Sequence, residues 1–400
     1  MRKSITIVGA SLAGLRGAEA LRRDGFNGPI SLIGDEPHAP YDRPPLSKKI
    51  LAGDWEADRA ALTPAERFAD LNLDLRLGSR ATKLNVDSQT LWVDGEPEAY
   101  QGLLIATGAR CRTLPGTEGM NGVHTLRSLN DCLAIRTALE AGPRRLVVVG
   151  AGFIGAEVAA TAVGRGVLTT LIESLAAPLE RVVGNMVGEV VAEVHRSNGV
   201  DLRCGVGVTA VHGREQIEAV ELTDGTIIET DLLVVGIGVL PNTEWLEGSG
   251  LTIENGVVCD ETCLAAPGVT AAGDVARWLN PRYGELMRVE HWDNAVEQGP
   301  YAARRLLVDQ PADPFTPVPW FWSDQFDRKI QLAGRPSPDD EIQVVNGSIE
   351  EHRFAAFYGS HGKLRAVFGM NRPRQVMQGK NLLAQGASWQ EALAVAAAWE

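Results

Sequence analysis

The sequence predicts an α/β protein with two Rossmann-like dinucleotide-binding domains and a C-terminal α+β domain. Three observations predict it. Residues 145–173 read RLVVVGAGFIGAEVAATAVGRGVLTTLIE: an apolar run, a G-x-G-x-x-G turn, an Ala-rich stretch, a second apolar run and an acid. Residues 4–35 repeat that order with one departure. Residues 342–345, 354–358 and 364–370 alternate apolar and polar side chains, the period of strands in a small antiparallel sheet.

Bulk properties bound the function. A chain of 400 residues is long enough for two or three domains. Hydrophobic content of 44% and charged content of 22% describe an ordinary globular protein. The net charge of −13 argues against nucleic acid or an anionic membrane as the main partner. The five cysteines, Cys111, Cys132, Cys204, Cys259 and Cys263, contain no C-x-x-C, so neither a disulfide framework nor a metal cluster is indicated. No apolar run approaches the roughly 20 residues that span a bilayer, and the N-terminus moves straight into a nucleotide motif. The expectation is a cytoplasmic protein, a monomer or weak dimer.

Taken in order, residues 4–8 are an apolar strand, Gly9 to Gly14 form a turn and residues 15–21 start a helix. Ser11 stands where the second glycine of the fingerprint belongs; it is small enough for a pyrophosphate still to approach. Gly9, Ser11, Ala13 and Gly14 are thus candidate binding residues. Residues 29–33 are the next strand, and Asp35 is preferred over Glu36 as the ribose acid because it comes first after that strand. The run at 103–109, LLIATGA, ends a strand at Thr107 and Gly108, where the chain leaves the first nucleotide domain.

Residues 146–149 open the second fingerprint as a buried parallel strand. Gly150 makes the tight turn, Gly152 admits the pyrophosphate and Gly155 lets a helix, expected from about 156 to 163, sit close on the strand. The phosphates meet the positive helix end. Glu173, eighteen positions after Gly155, accepts from the ribose hydroxyls; with no Arg among residues 174–177 to offset it, the reading is NAD rather than NADP. The run at 231–242, DLLVVGIGVLPN, closes this domain, and Gly236 and Gly238 let the nicotinamide half pass close to the backbone or allow tight packing at a hinge. In VTAAGDVA at 269–276, Asp274 follows a strand and a glycine at the expected start of a helix, placed to accept from ribityl hydroxyls. Two fingerprints mean two dinucleotides, or one nucleotide and a decayed duplicate; followed by these segments in this order they point to FAD and NAD.

The chain resembles the two-dinucleotide flavoprotein reductases of the glutathione reductase superfamily. Within it the chain is similar to the NADH-dependent ferredoxin reductases that serve cytochrome P450s and ring-hydroxylating oxygenases. Residues 41–48 (YDRPPLSK), 290–298 (EHWDNAVEQ) and 319–325 (PWFWSDQ) carry the likeness. It implies an FAD domain at 1–110 and 236–312, an inserted NADH domain at 111–235 and a C-terminal domain at 313–400. It also implies non-covalent FAD, NADH as substrate and a 2Fe–2S ferredoxin as partner.

Site roles follow from the resemblance. Lys48 supplies a cation beside reduced flavin; the alternative is a solvated lysine next to Lys49. Ala81 contacts the FAD adenine through its backbone or is simply a strand residue. Arg127 lies near FAD, or caps the helix at 129–139, or pairs with an acid. Glu157, in the first helical turn, reaches the nicotinamide carboxamide or merely complements the helix dipole. Trp292 sits near the start of a helix running to about 307 and lies against the flavin pyrimidine edge, while Trp322 lies between the isoalloxazine and the surface. Lys48, Glu157 and Trp322 are the candidate catalytic residues, and no metal site is expected. Thiol-dependent members of the superfamily carry redox cysteines near residues 38–49; HAPYDRPPLSKK has none, so electrons leave singly or go to oxygen. Arg304, Arg305, Arg328, Lys329, Arg335, Arg372, Arg374 and Lys380 form a docking patch for an acidic ferredoxin or are ordinary surface charges. Competing functions are an NADH oxidase or peroxidase and an NADH-sensing flavoprotein similar to apoptosis-inducing factor.

Overall fold

The computed structural model describes residues 2–308 and 312–399. The chain divides into two compact units: Met1–Asp42, Asp58–Arg110 and Leu240–Pro319 form the first, and Arg43–Ala57, Cys111–Val239 and Trp320–Glu400 the second.

The first unit is built on a six-stranded sheet in the order Leu264–Ala266, Val269–Ala271, Gly102–Ile105, Ile5–Val8, Ile30–Gly34, Asp74–Leu77. Every neighbouring pair is parallel except the first. Strands covered on both faces are apolar throughout, and all four residues of Gly102–Ile105 are buried. The chain leaves Ile5–Val8 for the strand on one side and returns later on the other. That change of direction opens a crevice beyond the carboxyl end of Ile5–Val8. Helix Leu12–Arg23 and helix Trp292–Arg305 pack closely because they meet at glycine: a Cβ on Gly299 would lie 2.2 Å from the Ala13 carbonyl oxygen.

The second unit repeats this plan with five parallel strands in the order Asp201–Cys204, Thr169–Glu173, Leu146–Val149, Leu232–Val235, Val123–Thr125. All four residues of Leu146–Val149 are buried, each side chain contributing about 1.5–3 kcal/mol relative to an exposed one. The C-terminal residues add an antiparallel sheet ordered Trp320–Gln325, Arg328–Gly334, Lys363–Met370, Arg353–Ser360, Glu341–Ser348, two strands more than the alternation predicts. Helix Glu180–Ser197 lays Val183, Val187 and Val191 against Phe354, Tyr358 and Phe368 of this sheet. The Tyr358 hydroxyl donates to the Val183 carbonyl at 2.7 Å. Helices Pro373–Gln385 and Trp389–Ala396 close the chain.

Three expectations need correcting. Both fingerprint helices, Leu12–Arg23 and Phe153–Gly164, begin three residues early, because each glycine turn feeds directly into helical backbone. No α-helix follows Asp274: Gly273–Val275 is a single 3-10 turn, and Ala276–Asn280 continues as a strand with Trp278 fully buried. Asp274 therefore has no helix dipole behind it. Helix Leu129–Glu140 is capped by Ser128, not Arg127; the Ser128 hydroxyl and the Asp131 carboxylate form a capping box. The first two residues of the Pro-rich segment at 310–319 lie outside the described residues. Among the described residues, no helix is long and apolar enough to cross a membrane.

Candidate active site

The two nucleotide turns have one geometry. Gly9 N–H donates to the Ile33 carbonyl at 2.7 Å, and Gly150 N–H to the Ile172 carbonyl at 2.8 Å. A Cβ on Gly14 would sit 2.0 Å from the Gly9 oxygen, and one on Gly155 2.0 Å from the Gly150 oxygen. Gly9 (φ +121°) and Gly150 (φ +97°) also adopt backbone that favours glycine. The middle position is different: a Cβ on Gly152 would meet no heavy atom within 4 Å. Packing does not demand that glycine, so its use is to leave open the space before the helix. Ser11, its counterpart, is extended (φ −127°, ψ −161°) and its hydroxyl makes no cap hydrogen bond. Neither helix has an acid in its first turn. Both helix N-termini thus present N–H groups that a pyrophosphate fits.

The acids sit one register apart. Glu173 directly follows Ile172 in its strand, whereas Gly34 follows Ile33 and Asp35 comes next. Glu173 is held by Ala151 N–H (2.9 Å), Leu175 N–H (2.9 Å) and the Ser174 hydroxyl (3.2 Å). Asp35 is exposed, while Glu36 already accepts from the Tyr41 hydroxyl, which leaves Asp35 the readier ligand acceptor.

Other first-unit residues are fixed by neighbours the sequence did not flag. The Thr107 hydroxyl donates to the Asn242 carbonyl at 3.0 Å and the Asn242 amide to the Thr107 carbonyl at 2.9 Å, which clamps Thr107 and Gly108. Ala81 is buried at the start of strand Ala81–Asn85. Trp292 is the first residue of its helix, and its indole donates to Asp42 at 2.7 Å, joining two of the motifs picked out by sequence.

In the second unit Lys48 and Glu157 form one cluster. Glu157 lies in the second turn of Phe153–Gly164, not the first, and is 3% exposed. It accepts from the Ser47 hydroxyl, the Ser323 hydroxyl (2.6 Å) and Asp324 N–H (3.2 Å). The Lys48 ammonium lies 3.2 Å from Glu157 and 3.3 Å from Asp324, and 5.5 Å from the Trp322 ring centroid. Burial pushes the Glu157 carboxyl up from its ordinary value, while Lys48 and the two serines pull it down. Lys48 is thus no freely solvated lysine: its side chain is 15% exposed and is paired with the buried Glu157. Trp322 stacks on Trp320 at 5.4 Å, while Phe321 between them is buried in the core. Ser47, Ser323 and Asp324 escaped sequence reasoning because a hydroxyl or acid beside a motif carries no pattern of its own.

Arg127 donates its backbone N–H to Asp131 at 3.0 Å, and Gly236 N–H bonds the Val149 carbonyl at 2.7 Å; Gly238 has φ +95°. The basic residues divide: Arg304 and Arg305 belong to the first unit, where they bond Asp24 and Thr262, and the other six belong to the second. Segment 43–57 contains no cysteine, and the Cys132 thiol donates to the Leu46 carbonyl at 3.0 Å; burial pushes it up to about 12. Burial disfavours the thiolate form that a nucleophile or a redox relay needs.

Comparison with known proteins gives this geometry a family. Residues 3–299 match the pyridine nucleotide-disulphide oxidoreductase model, and residues 320–399 match the reductase C-terminal model. The chain belongs to the pyridine nucleotide-disulphide oxidoreductase family. It is an oxidoreductase, and several relatives that align with 95% of it are named as ferredoxin reductases. Rhodocoxin reductase of Rhodococcus erythropolis is 37% identical over 95% of this chain and 89% of its own. Putidaredoxin reductase of Pseudomonas putida is 37% identical over 95% of this chain and 91% of its own. The crystal structure of the covalent putidaredoxin reductase–putidaredoxin complex matches with a TM-score of 0.92 at 35% identity, covering 99% of each chain.

Proposed function

We propose that this protein is an FAD-dependent NADH:ferredoxin reductase that passes electrons singly to a 2Fe–2S ferredoxin supplying a cytochrome P450 or ring-hydroxylating oxygenase. The observation that supports it best is a pair of ligand-ready nucleotide turns in one chain with no cysteine in the segment 43–57 that carries Lys48. Bound FAD supplies the conversion: it takes two electrons as hydride from NADH and gives them up one at a time. The residues do the rest. Gly9, Ser11, Ala13 and Gly14 bind the FAD pyrophosphate at a helix N-terminus, and Asp35 accepts from its ribose. Ala81, Thr107, Gly108, Arg127, Asp274 and Trp292 complete its binding.

Gly150, Gly152 and Gly155 bind the NADH pyrophosphate. Glu173, held by three donors, accepts from the ribose and repels a 2′-phosphate, while Gly236, Gly238 and Glu157 orient the nicotinamide half. Lys48 provides positive charge toward reduced flavin, and Trp322 lies on the electron exit side. FAD belongs to residues 1–110 and 236–312, NADH to 111–235, and the C-terminal domain to 313–400; the gap between the two family models at 299 and 320 supports that last break. Five free thiols suit a reducing cytoplasm.

The test is an absorption spectrum of the purified protein titrated with NADH. A flavin spectrum bleached by about one equivalent of NADH, and far less readily by NADPH, is expected. A colourless protein, or one indifferent to NADH, contradicts the reading.

A further inference from the structure

Gln298 is fully buried inside helix Trp292–Arg305, and all of its polar atoms are engaged. Its Oε1 accepts from Gly273 N–H at 2.9 Å and from the Asn294 amide at 3.1 Å; its Nε2 donates to the Cys263 thiol at 3.4 Å. Gly273 is itself buried, with φ +74°, and a Cβ there would lie 3.2 Å from the Ala13 Cβ. The Gly273–Val275 turn therefore rests against the first turn of the first fingerprint helix. It is too short to satisfy its own backbone, so the Gly273 N–H depends on the Gln298 amide. The Arg288 guanidinium also donates to the Asp274 carbonyl at 3.1 Å. Next to Gln298, Gly299 brings the helix onto the Ala13 carbonyl. The Gln298 side chain thus ties the helix that begins at Trp292 to the turn that presents Asp274, and Gly273 and Gly299 set both against the helix behind Ser11.

We propose that Gln298 is the positioning residue of the flavin site, fixing the Gly273–Asp274 turn against the pyrophosphate-binding helix; this rests on the FAD reading above and deepens it. Gln298 touches no cofactor in this account. It acts by fixing the backbone that carries Asp274, so its loss weakens flavin retention while leaving the NADH turn untouched.

The test compares FAD release from holoenzymes, followed as free-flavin fluorescence, for wild type, Gln298→Leu, the milder Gln298→Asn and Thr270→Val. Leucine removes the acceptor, and asparagine is one methylene too short to reach Gly273. Thr270→Val removes another buried bond to the same helix, from the strand that leads into the turn: Thr270 hydroxyl to Ala302 carbonyl at 3.0 Å, without touching the turn. Both Gln298 variants are expected to release FAD on the order of tenfold faster than wild type, and Thr270→Val at the wild-type rate despite a lower melting temperature. If both Gln298 variants match wild type, or Thr270→Val releases FAD as fast as they do, the positioning role is overturned. A wild-type protein that carries no flavin overturns the FAD reading itself, whereas a yellow wild type with unaffected variants overturns only this inference.

Discussion

Lys48 holds one carboxylate in the interior and a second nearer solvent, with side-chain exposures of 4% for Glu157 and 43% for Asp324. A charge pair this buried is not obviously stabilising against an apolar pair, but breaking it from one side is costly. Lys48→Met leaves Glu157 charged in the interior and is expected to destabilise the protein by about 3–5 kcal/mol in urea unfolding. Adding Glu157→Gln should restore much of that loss, because the neutral amide no longer needs the ammonium. A double variant whose loss equals the sum of the two single losses would show that the residues are not coupled. Lys48 and Glu157 were both legible in the sequence as candidate site residues, but their partnership was not. The ion pair spans 109 positions, from 48 to 157, and neither residue sits in a repeating pattern that points at the other.

At the scale of elements, the glycine turns were legible because their constraint is local. A carbonyl five residues back is what excludes a side chain from Gly14 and from Gly155, so spacing alone reveals the turn. Each can therefore be disabled separately. Gly155→Ala forces a Cβ onto the Gly150 carbonyl and is expected to weaken NADH binding by about 10–100-fold, with FAD retained. Gly14→Ala should do the converse, yielding protein that loses FAD on gel filtration yet still binds NADH, read by equilibrium dialysis. Loss of both ligands from either variant would mean that the two turns do not act independently. The Asp274 turn was misjudged for the opposite reason. A Gly-Asp pair after an apolar run looks like a helix start, but the following residues bury Trp278, whose indole donates to the Phe315 carbonyl at 3.1 Å, and tertiary packing makes them a strand.

For the molecule as a whole, the central strands of the two nucleotide sheets and three strands of the C-terminal sheet followed from apolar runs and alternation, while edge strands such as Asp74–Leu77, Asp201–Cys204 and Val123–Thr125 did not. The membership of Arg43–Ala57 in the second unit did not. That segment is tied there by bonds to backbone carbonyls: Thr161 to Ser47 at 2.8 Å, Arg165 to Leu51 at 2.7 Å and Cys132 to Leu46 at 3.0 Å. Carbonyl acceptors are the same in every residue type, so such links leave no mark in composition or periodicity. The central claim concerns the fate of electrons once NADH has delivered them: with no cysteine in the segment that carries Lys48, they should leave for an external one-electron carrier. The most direct measurement is NADH-driven cytochrome c reduction with and without a 2Fe–2S ferredoxin, alongside stopped-flow bleaching of the flavin by NADH alone. The expected result is rapid bleaching without ferredoxin and cytochrome c reduction that rises steeply and saturably as ferredoxin is added. Reduction that is unchanged by any 2Fe–2S carrier, with NADH consumed at the same rate by oxygen, would contradict the account.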